Sequence, residues 1–392
     1  MYKIQTLNKI SPVGINLVLQ NGYEVASEIL NPDAILVRST AMHDMQLPES
    51  VKAIARAGAG VNNIPVEACA NSGVVVFNTP GANANGVKEL VLAGMLLASR
   101  NIIPGVQWAQ TLIGKGDEVP KLIEKGKSNF AGPEIKGKRL GVIGLGAIGV
   151  MVANDAVALG MQVTGYDPYI SVEAAWGLSS IVKRARSLES LLAESDYLTM
   201  HLPLNDKTKG MINQERLALM KKGVCILNFS RGGLVRNADL FQAMTDGTVG
   251  TYVTDFPDED LLKHEKVIAI PHLGASTPEA EDNCAVMAVN QVRNYLEYGN
   301  IKNSVNFPDC DLGIPSGHRI IIANRNVPNM VGQITTLLAA EKINIADMLN
   351  RHRGDFAFNI IDIDGTVDKS IVGKISAIEG VIMVRHIVAD GK

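Results

Sequence analysis

Charge of one sign is the first thing this sequence lacks. Its 392 residues carry 37 Lys and Arg against 40 Asp and Glu, a formal net charge of −3. No global basic field exists for nucleic acid or an anionic membrane surface, so neither is expected as a partner. Aromatic residues are scarce at 5%, which disfavours a ring-rich binding surface and suits close-packed helix–strand layers. The four cysteines, Cys69, Cys225, Cys284 and Cys310, are scattered, with no CxxC spacing. That argues against a disulfide framework or a thiolate metal centre and for reduced thiols, and no metal is expected. The longest apolar run, Leu90 to Ala98, contains Gly94 and is far too short to span a bilayer. Met1 to Thr6 lack the charged-then-apolar pattern of a secretory leader. A cytoplasmic protein is the resulting expectation. With 46% hydrophobic and 20% charged residues the chain is neither disordered nor fibrous, and its length allows two or three domains.

What is present is alternation. Ala34 to Val37 and Gly73 to Phe77 read as short buried strands, and Leu90 to Ala98 as a buried helix. After a Lys-rich stretch the pattern becomes regular: strand 140–143, helix 148–159, strand 162–166, helix 188–194, strand 197–201. It continues with helix 214–220, strand 224–228, helix 238–245 and strands 251–253 and 267–270. Such alternation predicts an α/β fold with a doubly wound parallel sheet. A long polar helix over 278–298 follows, and then a Pro-, Gly- and Asp-rich stretch, 306–317, that reads as a linker. Residues 318–392 give the order β-α-β-β-α-β, a ferredoxin-like arrangement.

Gly144-Leu145-Gly146-Ala147-Ile148-Gly149 matches GxGxxG. Alone the pattern is weak. Here it joins a strand to a helix, the setting that aims a helix N-terminus at a pyrophosphate. Asp167 ends the next strand, where a carboxylate would bond the ribose hydroxyls and repel a 2′-phosphate, favouring NAD over NADP. The plainer reading is an ordinary turn with Asp167 as a cap.

A second constellation sits after later strands: Ser230-Arg231-Gly232, Thr254 to Glu259, and Pro271-His272-Leu273-Gly274. Strand C-termini of a parallel sheet share one edge, where ligands bind. Oxidation of a 2-hydroxy acid needs a hydride acceptor, a base and a carboxylate clamp. His272 can be the base, Arg231 can grip a carboxylate with two parallel hydrogen bonds, and either Glu259 or Asp255 can support the imidazole. Against this stands the ordinary case of a surface histidine and an Arg-Gly-Gly turn.

Val142 to Gly149, Tyr166-Asp167-Pro168, His201-Leu202-Pro203-Leu204, Ser230-Arg231-Gly232 and Pro271-His272-Leu273-Gly274 together resemble the D-isomer-specific 2-hydroxyacid dehydrogenases, over about residues 1 to 305. The C-terminal block resembles an ACT domain, an amino-acid-sensing module. The resemblance implies two Rossmann-like domains plus the ferredoxin-like block. It implies a discontinuous substrate domain (1–98 and 273–305), an NAD-binding domain (99–272), the linker 306–317 and a regulatory domain (318–392). It implies NAD-dependent oxidation of 3-phospho-D-glycerate (3-phosphoglycerate) to 3-phosphohydroxypyruvate, the first step of L-serine biosynthesis, by a homo-oligomer, a dimer or tetramer.

Residue by residue, the resemblance makes Arg231, Glu259 and His272 catalytic. Gly144, Gly146, Ala147, Ile148, Gly149, Asp167, His201, Pro203, Ser230, Asp255 and Gly274 become NAD contacts. Arg38 and Arg56 become phosphate ligands, with Lys127 near a further basic position, and Asn78, Gly81 and Ala82 line the substrate carboxylate. Asn324, Asn326 and Asn344 fall where relatives hold serine. The sequence departs from the family pattern in Thr254-Asp255-Phe256-Pro257-Asp258-Glu259, where aligning Phe-Pro moves the Asp by one position. It departs again in the short segment from Glu259 to His272, and in Pro328-Asn329, where Pro-Gly is usual. Two other functions stay open: action on another D-2-hydroxy acid, or a nucleotide-sensing regulator without turnover. For the C-terminal block, serine sensing, another amino acid and a purely subunit-joining role stay open.

Overall fold

A computed structural model describes residues 1–388, which form two compact units: 1–82 with 281–388, and 83–280. Each unit is built on parallel sheet, as the alternating pattern predicts.

The first unit opens with β1 (Lys3–Thr6), β2 (Glu24–Ala26), β3 (Ala34–Val37), β4 (Ala53–Arg56) and β5 (Val75–Phe77), in the order β2-β1-β3-β4-β5. Every pairing in this sheet is parallel. β3 and β5 are buried at every position, which is why they read as continuous apolar runs. Its first two helices are α1 (Pro12–Leu19), capped by the Ser11 hydroxyl, and α2 (Val66–Asn71).

The second unit holds α3 (Ala84–Arg100), α4 (Ile102–Gln110) and α5 (Val119–Gly126) ahead of its sheet. Its strands are β6 (Arg139–Ile143), β7 (Gln162–Tyr166), β8 (Lys183–Arg184), β9 (Tyr197–Met200), β10 (Val224–Asn228), β11 (Val249–Thr254) and β12 (Val267–Ala269). They alternate with α6 (Ala147–Ala158), α7 (Val172–Gly177), α8 (Leu188–Glu194), α9 (Gln214–Ala218), α10 (Asn237–Thr245) and α11 (Glu259–Leu262). The order is β12-β11-β10-β9-β6-β7-β8, so the chain winds outward from β6 one way and returns to wind the other way from β9. The switch point therefore lies between the C-termini of β6 and β9, where Ile143 pairs Met200.

α12 (Pro278–Tyr298) returns the chain to the first unit. There Ala285, Ala288, Val289, Val292, Tyr295 and Leu296 enter one core with Ile4, Leu36, Val75 and Phe77. A Cβ on Gly14 of α1 would lie 2.6 Å from the Ala285 carbonyl carbon, so these helices meet only because glycine stands there. The C-terminal block is β13 (His318–Arg325), α13 (Met330–Ala340), β14 (Asn344–Arg353), β15 (Phe356–Asp364), α14 (Lys369–Ser376) and β16 (Val381–Val388). Its antiparallel sheet runs β14-β15-β13-β16, the ferredoxin-like order. Ile320, Ile322, Ile361 and Ile363 point under α13 and α14. Ile321, Ala323, Phe358 and Ile360 point the other way, into the core of the first sheet.

Two organisational expectations change. The division between units falls at 82/83 and 280/281 instead of 98/99 and 272/273. The reason is that α3 buries Val87, Val91 and Met95 against Val142, Val150 and Leu227 of the second unit. The stretch 306–317 is no free linker: Phe307 and Cys310 are buried in the first unit's core, and Phe307 packs edge-on against Phe356 and Phe358. All four cysteines are free and buried. Among the described residues no single helix is long and apolar enough to cross a membrane.

Candidate active site on the nucleotide-binding unit

Register builds the site. Ile143 pairs both Tyr166 and Met200, Asn228 pairs both Met200 and Thr254, and Thr254 pairs Ala269. The residues next along each strand, Gly144, Asp167, His201 and Asp255, therefore emerge along one edge, with Ser230, Arg231 and His272 in the turns beyond.

Gly144 has φ +88°, and a Cβ there would lie 2.4 Å from the His201 carbonyl oxygen. A Cβ on Gly149 would sit 1.9 Å from the Gly144 oxygen. Over Gly146, by contrast, a Cβ would meet nothing within 4 Å, and no side chain caps α6. The turn thus has open space at Gly146 and an uncapped first turn carrying Ala147, Ile148 and Gly149, the features a pyrophosphate needs. Asp167 accepts from the amides of Leu145 and Tyr169, both at 2.8 Å, which fixes its carboxylate beside the turn. Those bonds leave further lone pairs for ribose hydroxyls. These residues fit a dinucleotide.

His201 bonds Thr199 Oγ1 through Nε2 at 3.1 Å, and its Nδ1 is buried without a partner. Burial lowers its pKa to about 3, so the ring is neutral across the working range. The Ser230 hydroxyl donates to the Met200 carbonyl at 2.5 Å, tying two strand ends together. Pro203 lies in the loop after His201.

Arg231 and His272 both flank Phe256. The Arg231 Cζ stands 5.8 Å from that ring's centroid, and the His272 ring lies 4.5 Å from it, tilted by 51°. Asp255 is 2% exposed, its Oδ1 has no partner, and it feels the charges of His272 and Arg231. Burial pushes its carboxyl above the usual carboxylate range, while His272, the Gly274 amide and Arg231 pull it back. Gly274 has no side chain because a Cβ there would come 3.3 Å from Asp255 Oδ2 and 3.2 Å from Val87.

Glu259 is elsewhere. It opens α11, whose N-cap Asp258 accepts from the Leu261 amide at 2.9 Å, and that cap turns Glu259 outward. Its side chain is 84% exposed and pairs with Lys263 at 2.8 Å. Two contributors escaped the sequence reading. Phe256 organises Arg231 and His272. Buried Asn228 shapes the arginine's turn, donating to the Arg231 carbonyl at 2.9 Å and accepting from the Ser230 amide at 3.2 Å. An asparagine at the end of the strand, two residues before Ser-Arg-Gly, was the available signal.

The remaining expected residues belong to other elements. On the first unit Arg38 pairs with Glu281 at 2.7 Å, and the Arg56 Nε donates to the Arg38 carbonyl at 2.9 Å. Asn78 donates to the Ala59 carbonyl at 2.6 Å. Lys127, on the second unit, pairs with Glu124 at 2.5 Å on an exposed surface. In the C-terminal block Asn324 is buried, donating to the Arg325 carbonyl and accepting from Asn359, both at 2.7 Å. Asn326 donates to the Gly354 carbonyl at 3.1 Å, and Asn344 to Asp364 at 2.6 Å.

Residues 92–274 match the family described as D-isomer specific 2-hydroxyacid dehydrogenase, NAD binding domain. That similarity covers just under half of the chain. Similar proteins include a D-3-phosphoglycerate dehydrogenase of Methanocaldococcus jannaschii, 37% identical over 295 residues, covering 73% of this chain and 54% of that protein. Another, from Archaeoglobus fulgidus, is 32% identical over 359 residues, covering 86% of this chain and 64% of its own length. The chain thus spans about half to two thirds of these relatives. Among solved structures, NAD+-bound 3-phosphoglycerate dehydrogenase of Entamoeba histolytica superposes with a TM-score of 0.59 at 27% identity, covering 78% of this chain and 98% of that one. D-2-hydroxyisocaproate dehydrogenase, at 21% identity and a TM-score of 0.64, shares the fold. The glycine turn, Asp167 and the Arg231–His272 edge all lie within the matched residues, along one parallel sheet.

Proposed function

We propose that the protein is an NAD-dependent oxidoreductase that converts 3-phospho-D-glycerate to 3-phosphohydroxypyruvate. The observation that carries this reading is Arg231, His272 and buried Asp255 on the strand-end edge of an NAD-binding domain. The names of the curated relatives supply the substrate.

The Gly144–Gly149 turn and Asp167 would hold NAD, which would supply the hydride acceptor for C2. The protein supplies the rest. His272 takes the C2 hydroxyl proton, and Arg231 holds the substrate carboxylate by two parallel hydrogen bonds. Asp255, in place of Glu259, steadies the imidazolium that results: it is the carboxylate buried beside His272, whereas Glu259 is committed to solvent and Lys263. Arg38 and Arg56 are assigned to the phosphate. The test is NADH formation from 3-phosphoglycerate by the purified chain, with His272→Ala expected to abolish it while leaving NAD binding intact.

A second reading, an unphosphorylated D-2-hydroxy acid, draws support from the Arg38–Glu281 pair, which already gives Arg38 a carboxylate partner. Comparing kcat/KM for 3-phosphoglycerate and D-glycerate separates the two. Serine regulation belongs to the same proposal. Asn326 and Asn344 lie at the exposed surface and can meet a ligand, whereas Asn324 is held inside the sheet by Asn359. Assembly of copies through the nucleotide-binding unit is supported by α4 and α5, neither of which buries a residue in one chain. Ile102 and Val106 are 42% and 53% exposed.

A further inference from the structure

α12 has two faces. One enters the first unit's core, as described. The other carries Asn283, Asn290 and Asn294 at helical spacing, on the wall of a pocket of about 500 Å³ that lies within the first unit. The loop residues Gly81 and Ala82 close one side of it and Lys302 stands on another. Arg38, Arg56 and Asn78, the other proposed substrate contacts of this unit, do not line it.

Gln291 is the unusual member of this wall. It is 7% exposed, and neither its amide nitrogen nor its amide oxygen has a hydrogen-bond partner. An amide buried in that state is unfavourable unless something meets it. The same α12 face adds the amides of Asn283, Asn290 and Asn294, which can both donate and accept, beside the apolar Val286 and Met287. Among the described residues Lys302 is the one charged side chain on the wall, and no carboxylate lines it. Amides surrounding one cation select an anionic group that also carries hydroxyl or ammonium donors. The volume suits a small molecule.

We propose that this pocket is a binding site for a small hydroxy- or amino-carboxylate. Lys302 faces the carboxylate, and the Gln291 amide meets the adjacent hydroxyl or ammonium. The pocket belongs to the first unit and the Arg231–His272 edge to the second, and its occupancy is tested without reference to turnover.

Calorimetric titration of the full-length chain with L-serine and with D-glycerate tests it. Arms with Gln291→Leu, Lys302→Ala, Asn326→Ala and His272→Ala separate this pocket from the C-terminal block and from the catalytic edge. The expected result is saturable binding of at least one probe, weakened about tenfold or more by Gln291→Leu and severalfold by Lys302→Ala, and unchanged by Asn326→Ala and His272→Ala. Gln291→Leu should unfold no earlier than wild type, since leucine removes an unpaired buried amide, and exposed Lys302→Ala reports independently of folding. The proposal is overturned if neither probe saturates, or if both pocket variants bind as wild type. A crystal grown with the probes that shows only water against Gln291 also overturns it.

Discussion

Asp255 and Glu259 stand close in sequence in opposite surroundings, and the contrast decides which supports the histidine. Asp255→Asn should lower kcat by about a hundredfold or more, and Glu259→Gln should change it less than about threefold, in steady-state assays. Asp255 also fixes a sign for stability. Burial raises its folded-state pKa above the unfolded value, so its favourable contribution is full below the ordinary carboxylate pKa of about 3.9 and is lost as pH rises through the raised value. At neutral pH Asp255→Asn should therefore melt higher than wild type. The gap should close as pH falls toward about 4, as read by scanning calorimetry. A variant that gains stability while losing turnover is what a functional buried carboxylate predicts. The sequence made both acids candidates. It could not choose between them, because the Asp258 cap that turns Glu259 outward is a local hydrogen bond with no signature in residue order alone.

At the scale of elements, what was legible follows from burial. β7 and β10 and helices α8 and α12 match the sequence expectations because apolar runs or helical periods bound them clearly. β2, with no fully buried residue, and α4 and α5, which bury nothing, lack such a pattern and went unread. The glycine turn was legible because its geometry allows nothing else. A Cβ on Gly149 would meet the Gly144 carbonyl oxygen at 1.9 Å, so Gly149→Ala must move the first turn of α6 away from β6. We expect a lower melting temperature and at least about tenfold weaker NAD binding by fluorescence quenching. An unchanged NAD affinity would mean that the turn does not hold the pyrophosphate.

For the whole molecule, the unit boundary and the supposed linker were the misjudged features, since both depend on which partner an apolar segment finds. Val87, Val91 and Met95 look equally buried whichever sheet receives them, and Phe307 in a Pro-rich stretch gives no sign that Phe356 and Phe358 await it. The first unit and the C-terminal block share one core. A buried arginine reinforces that union: Arg319 is 0% exposed, pairs with Asp362, and donates to the carbonyls of Tyr298 at 2.7 Å and Gly313 at 2.9 Å. Arg319→Leu should destabilise the unit by about 3–5 kcal/mol in urea unfolding, because it strands Asp362 and those carbonyls, and Asp362→Leu on top should recover part of the loss. Arg231, His272 and Asp255 are proposed to make this chain an NAD-dependent dehydrogenase of 3-phosphoglycerate. Following NADH absorbance with the purified chain tests it most directly. Turnover of 3-phosphoglycerate is expected at a kcat/KM at least about tenfold above that for D-glycerate, abolished by His272→Ala. The proposal is contradicted if folded, NAD-binding protein turns over neither 3-phosphoglycerate nor, in reverse with NADH, 3-phosphohydroxypyruvate.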